Sequence, residues 1–183
     1  MLMNKYLAIL FLFYFNNSDA QNYAPKNPGC RWIYVMPSDD SFEDVITNQK
    51  FNYNSKSYFQ SLRKYSWGQM DTSYYRIEKN GTIYYLDKES KKESIEIPGQ
   101  PKISFRWTSS DKAWQYEIVG LNETLKTPKK EFLNCLVIKA EQISIRDKNK
   151  LPIYFNYYSK SIGYVGSKVD GQLMAYLIEW KLK

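Results

Sequence analysis

Chemistry at a protein site calls for a base, a nucleophile or a metal ligand, and this chain is short of all three. It contains no histidine. Without imidazole, Ser–His and Cys–His machinery cannot be assembled, and neither can His-rich zinc, copper or non-haem iron sites. The two cysteines, Cys30 and Cys135, stand far apart and do not repeat the close spacing of a structural zinc site. Paired carboxylates remain as a route to hydrolysis, since that reaction needs only two Asp or Glu across a bond. Glu117 and Glu179 fall in strand-like runs, where an outward polar side chain is the simpler role. No catalytic residue, metal ligand or cofactor is expected from this pattern.

Aromatic side chains are what the sequence has in abundance, with 17 Tyr, 9 Phe and 5 Trp. Tyr and Trp join an apolar ring to a polar tip, which suits sugar stacking and protein interfaces as well as core packing. Alternation through Tyr154 to Tyr158 puts Tyr154, Asn156 and Tyr158 on one face, and Trp107 and Trp114 flank a nearby turn-like segment. Tyr154, Tyr158, Trp107 and Trp114 are therefore the candidate ligand contacts. Their plainer role is core and cross-strand packing.

The elements that must position these rings begin after a leader. Lys5 gives a positive start, Tyr6 to Phe15 (YLAILFLFYF) an apolar run too short to span a bilayer, and Ser18 and Ala20 the small-x-small pattern read by signal peptidase. Residues 1–20 are read as a signal peptide and Gln21 as the new N-terminus. No cysteine follows the apolar run directly, so a periplasmic or extracellular product without a lipid anchor is expected. No later segment is apolar enough to be a transmembrane helix.

Removal of residues 1–20 from the 183 leaves 163, the size of one domain, read as residues 21–183. Hydrophobic content of 43% and aromatic content of 17% exclude a disordered chain. The formal charge of +7 survives trimming because Lys5 and Asp19 leave together. The lysines are scattered and Lys91-Lys92 and Lys129-Lys130 lie in turn-like segments, so no nucleic-acid partner is expected. An exported chain meets oxidising conditions, which makes Cys30 and Cys135 candidates for a disulfide. The competing reading is an inert buried Cys135 within Phe132 to Ile138 (FLNCLVI).

Period-two patterning broken by turn residues predicts a mostly β chain with few or no helices. Strands are read at Arg31 to Met36, Ser57 to Leu62, Thr72 to Lys79, Thr82 to Asp87, Glu93 to Ile97, Lys102 to Thr108, Trp114 to Val119, Phe132 to Ile145, Ile153 to Tyr158, Tyr164 to Val165 and Gln172 to Lys181. Phe42, Val45, Ile46 and Gln49 fit a helical face, yet Phe42 to Thr47 could equally extend. Asn54-Ser55 reads as a tight turn, and Asn80-Gly81 as a two-residue type I′ hairpin turn. Phe132 to Ile138 and Leu173 to Ile178 are apolar on both faces and belong in covered or central strands. An antiparallel meander of about nine or ten strands must curve strongly, as an incomplete barrel does.

Several phrases resemble a layout found in small uncharacterised exported proteins of Bacteroidetes-like bacteria. Tyr23 to Tyr34 (YAPKNPGCRWIY) looks like that family's W-x-Y opening, and Asn54 to Tyr58 (NSKSY) is similar to its N-G-K-x-Y turn with Ser55 in place of glycine. Tyr74 to Tyr85 (YYRIEKNGTIYY) is close to its hairpin. Thr127 to Cys135 (TPKKEFLNC) resembles T-P-x-G-x-F-x-N-C, and Tyr157 to Val165 (YYSKSIGYV) resembles Y-Y-x-x-G-x-G-x-V, with Lys130 and Ser161 replacing glycines. The resemblance implies an exported β fold and no particular activity.

The function expected on these grounds is a non-enzymatic binding or structural module. Its ligand would be apolar or carbohydrate-like, or a protein partner, held on the concave side of the sheet. The alternatives are a carboxylate-dependent hydrolase of envelope glycans and a small inhibitor or immunity-type protein. Neither the partner nor the oligomeric state is legible.

Overall fold

The computed structural model describes Tyr23 and residues 27–144 and 152–183, so the leader expected over 1–20 lies outside the described residues. Every element among them is a strand. In chain order these are β1 (Arg31–Val35), β2 (Ser41–Tyr53), β3 (Lys56–Tyr65), β4 (Met70–Ile77), β5 (Ile83–Leu86) and β6 (Glu93–Ile97), followed by β7 (Arg106–Thr108), β8 (Trp114–Lys126), β9 (Glu131–Gln142), β10 (Ile153–Ser159), β11 (Gly163–Val169) and β12 (Gln172–Lys181). Among the described residues no helix is long and apolar enough to cross a membrane.

The strands form one antiparallel sheet in the order β6-β5-β4-β3-β2-β1-β12-β11-β10-β9-β8-β7. Each strand lies beside its sequence neighbours, and β1 pairs with β12. The meander therefore runs round a nearly closed barrel whose seam falls between β6 and β7. Side chains bridge that seam: the Trp107 indole N–H donates to the Ile95 carbonyl at 2.8 Å, and the Ser110 N–H to the Ser94 hydroxyl at 2.7 Å. Plugging two short edges in this way removes a template for pairing with other chains.

Curvature comes from strand twist and from bulges, which let a strand bend sharply while keeping most of its ladder. The longest irregularity in the first half lies between Ile46 and Lys50 of β2. In β11 the bend depends on glycine: Gly166 has φ 155°, and a Cβ there would sit 2.6 Å from the Ala175 carbonyl oxygen.

Twelve strands replace the nine or ten expected. The main gain is Ser41–Tyr53, where the helical alternative is wrong and the chain extends for 13 residues. Phe42, Asp44 and Ile46 share the inner face there, so a charged residue interrupts an otherwise apolar stripe and disguises the alternation. The strand expected over Lys102 to Thr108 shrinks to Arg106–Thr108, because Ser104 turns the chain at φ 65°. Asn80-Gly81 does close a hairpin, but not as type I′. Only Gly81 has positive φ, its N–H reaches the Glu78 carbonyl and the Glu78 N–H reaches Thr82, which is a type I turn followed by a glycine bulge. The two-residue turn with positive φ at both positions is instead Asn54-Ser55, at 47° and 58°.

The largest core cluster joins β1, β2, β8, β9, β11 and β12, with Trp32, Phe42, Ile46, Leu125, Phe132, Val165 and Leu177 among its members. Cys30 and Cys135 are both fully buried in it. The disulfide considered from sequence is not formed here: both are free thiols, and the Cys135 thiol rests on the Phe132 carbonyl at 3.4 Å. The second cluster centres on Ile83, Ile97, Ile118, Leu136, Ile138 and Tyr158. As the two-faced apolar pattern required, β9 lies between β8 and β10, and β12 between β1 and β11.

Candidate binding site in the barrel interior

Alternation and register decide which side chains face inward from the first four strands. Trp32 and Tyr34 on β1 lie opposite Asp44 and Phe42 on β2. Asp44 and Ile46 lie opposite Arg63 and Ser61 on β3, which in turn face Asp71 and Ser73 on β4. This inner surface, with Tyr75, walls a cavity of about 170 Å3. Aromatic, hydroxyl and charged groups thus converge on one concave space, more polar than the mostly apolar lining usual for a small-ligand site.

The charge in the wall is organised around one ion pair. Arg63 donates from Nε and from Nη2 to the two oxygens of Asp44, at 2.7 Å each, and its guanidinium lies 4.3 Å from the centre of the Phe42 ring. Burial works against the cation, but the bonds to Asp44 outweigh it and hold Arg63 firmly protonated. Asp71 lies on the exposed side of the same wall. The opposite end is anchored across the barrel: the Trp32 indole N–H donates to the Ile162 carbonyl at 2.8 Å, and the Tyr34 hydroxyl to the Tyr164 carbonyl at 3.0 Å. Burial raises the hydroxyls of Tyr34 and Tyr75, and pushes that of Tyr164 up to about 12, so all three stay neutral at physiological pH. Among the described residues no buried side-chain nitrogen or oxygen lacks a partner. Those buried polar atoms are therefore satisfied by the protein itself.

The four aromatic candidates from the sequence share the inner face of β7, β8 and β10, but none lines this cavity. Trp107 and Tyr158 are buried in the second core cluster, where Trp107 stacks on Tyr116 at 5.4 Å and the Tyr158 hydroxyl reaches Glu96 at 3.4 Å. Trp114 and Tyr154 pack against each other at 5.9 Å. The structure brings the four together as packing and places the polar cavity on the other half of the barrel. Asp44, Arg63, Asp71 and Tyr75 were not singled out from sequence, because their convergence depends on a register that only the paired strands display.

A second charged cluster sits on the outer face of β3 to β6. Arg76 on β4 bonds both oxygens of Glu93 and also Glu78, and its guanidinium lies 4.3 Å from the Tyr84 ring. Lys56 at 2.8 Å and the Tyr58 hydroxyl at 2.7 Å complete the shell of Glu93. Bonds from Arg76, against the pull of burial and with help from Lys56 and Tyr58, bring the Glu93 carboxyl down to about 2. Phe51, Tyr53, Tyr74 and Leu86 pack around Tyr58, leaving a cleft of about 110 Å3.

Among the described residues no three Cys, Asp or Glu side chains gather in a way that could hold a metal ion. Glu117, raised as a lone carboxylate, instead pairs with Arg106 at 3.0 Å at the sheet surface, and Glu179 is exposed. No family model, no curated protein and no solved structure matches this chain.

Proposed function

We propose that the domain is an exported, non-enzymatic binding module that holds a small hydroxylated, carbohydrate-like ligand inside the barrel. The observation that carries this reading is the cavity itself, where Ser61, Ser73, Asp71 and the Asp44–Arg63 pair stand beside Trp32 and Tyr75. Hydroxyl and charged groups recognise the rim of a sugar ring, and indole or phenol rings cover its apolar C–H surface. Export is supported by the leader pattern of residues 1–20, and a mature chain beginning at Gln21 is its direct test. The absence of histidine and the full engagement of both Asp44 oxygens favour holding a ligand over transforming one.

Saturation-transfer NMR with glucose, galactose, mannose and N-acetylglucosamine tests the reading. At least one should receive saturation from the protein, and Ser73→Leu, which fills the cavity, should abolish the transfer while the fold persists by circular dichroism. Silence with all four sugars, or equal transfer to the filled variant, overturns it.

A further inference from the structure

A chain of aromatic rings connects the core to the rim of the barrel. Tyr164 lies 5.4 Å from Tyr34, Tyr34 stacks on Phe42 at 4.6 Å, Phe42 lies 5.9 Å from Tyr65, and Tyr65 stacks on Trp67 at 4.5 Å. The first four are buried or half-buried, whereas Trp67 is 53% exposed. Trp67 lies in the turn joining β3 to β4, yet it does not dangle. One face rests on Tyr65, its indole N–H donates to Gln69 Oε1 at 3.2 Å, and Gln69 Nε2 donates to Asp71 Oδ1 at 3.2 Å. Backbone bonds from Tyr65 to Gln69 at 2.9 Å and from Ser66 to Ser41 at 2.8 Å fix the turn itself.

Asp71 belongs to the cavity wall and is exposed, so it marks the mouth. The Trp67–Gln69–Asp71 relay places a held indole beside that mouth. Leaving a large apolar side chain half in water forfeits burial energy, and fixing its orientation forfeits rotamer freedom as well. Such an indole is suited to stacking against a second flat surface. The cavity, at about 170 Å3, is close in size to an engineered cavity of about 150 Å3 that takes one benzene ring. It holds about one ring, and a longer ligand must continue past Asp71.

We propose that Trp67 is a second subsite, and that the ligand is the end of an oligosaccharide: the terminal unit enters the cavity and the next stacks on the exposed indole face. This rests on the cavity reading above and extends it from a single sugar to a chain.

The test is calorimetric titration of protein purified from expression of the full chain. The probes are glucose, galactose, mannose and N-acetylglucosamine and the 1,4-linked di- and trisaccharides of each. For the sugar that binds, affinity should rise about tenfold from mono- to trisaccharide. Trp67→Ala should remove that rise and leave monosaccharide affinity unchanged, and Trp67→Tyr should keep most of it. Because Trp67 is exposed, Trp67→Ala should melt with the parent; if it melts lower, Trp67→Tyr against Trp67→Leu carries the comparison. A flat length series, or a rise that survives in Trp67→Ala and Trp67→Leu, overturns the second subsite while leaving the cavity reading intact. No binding at any length overturns both.

Discussion

Two arginines on neighbouring strands grip carboxylates through forked hydrogen bonds, one inside the barrel and one outside. Arg76 points outward and is saturated: Glu93 takes two of its bonds, Glu78 a third, Tyr84 lies against its plane, and Lys56 and Tyr58 enclose the carboxylate. Arg63 points inward, with Asp44 on one edge, Phe42 against its plane and Tyr65 also bonded to it, and Ser61, Ser73 and Asp71 line the same cavity. The chemistry of the two pairs is the same. What separates them is degree: about 170 Å3 of space lies beside the Asp44–Arg63 pair, against about 110 Å3 beside Glu93, where Lys56 and Tyr58 already occupy the carboxylate.

Breaking the outer pair should cost the most stability. Arg76→Ala strips Glu93 of its main partner and leaves a carboxylate largely shielded from water, so unfolding in urea should show a loss of about 3 kcal/mol. Sugar binding by the folded fraction should be unchanged. A loss of binding at full stability would reverse the assignment of the two clusters.

Acid should find the same cluster next. Glu93 titrates at about 2 in the folded protein, below the ordinary carboxylate value of 4.5. A depressed folded-state value means that the stabilisation is complete above the unfolded value and fades as pH falls from about 5 towards 2, by on the order of 2 kcal/mol. Glu93→Gln should flatten that part of the stability profile measured by thermal melts. A profile as steep as the parent's would assign the acid sensitivity elsewhere.

The inner pair should show the converse balance. Arg63→Met leaves the Asp44 carboxylate, 17% exposed, without its partner, but the cavity beside it admits water, so the loss in urea should be about 2 kcal/mol, below that of Arg76→Ala. The substitution should nevertheless abolish sugar transfer in the NMR experiment. If stability falls as far as in Arg76→Ala and binding persists, the inner pair serves stability like the outer one.

The sequence showed the barrel more readily than the site, and the reason lies in particular residues. Trp114 to Val119 was legible because its facing side chains obey one polarity rule, with Trp114, Tyr116 and Ile118 on one face and Gln115 and Glu117 on the other, and it falls within the observed β8. Ser41 to Gln49 failed that rule because Asp44 occupies an inner position, tolerated only because Arg63 pairs with it across the ladder. The anomaly that blurred the strand was the binding-site candidate itself. The rings at Trp107, Trp114, Tyr154 and Tyr158 drew notice by type, yet type alone cannot tell a ring that fills a core from one that borders a space. Asn80-Gly81 was right in place and wrong in geometry, since a dipeptide names a turn but the flanking pairs set its length.

The smallest effects test the turns that hold each region. Ser55 and Ser161 both adopt left-handed backbone, with φ 58° and 63°. Ser55 closes the hairpin of β2 and β3, adjoining Lys56 and Tyr58 of the outer cluster. Ser161 precedes Ile162, whose carbonyl anchors Trp32 at the inner cavity. A left-handed non-glycine residue costs about 1 kcal/mol, and glycine returns part of that gain as extra freedom in the unfolded chain. Ser55→Gly and Ser161→Gly should each stabilise by about 0.5 kcal/mol, raising the melting temperature by roughly 1 to 2 °C. Ser55→Gly should leave sugar affinity untouched. Ser161→Gly should lower it slightly if the turn's rigidity holds Trp32 in place, because a looser anchor adds ordering entropy to every binding event. Equal affinities in both variants would show that the strands alone, and not the β10–β11 turn, set the shape of the cavity.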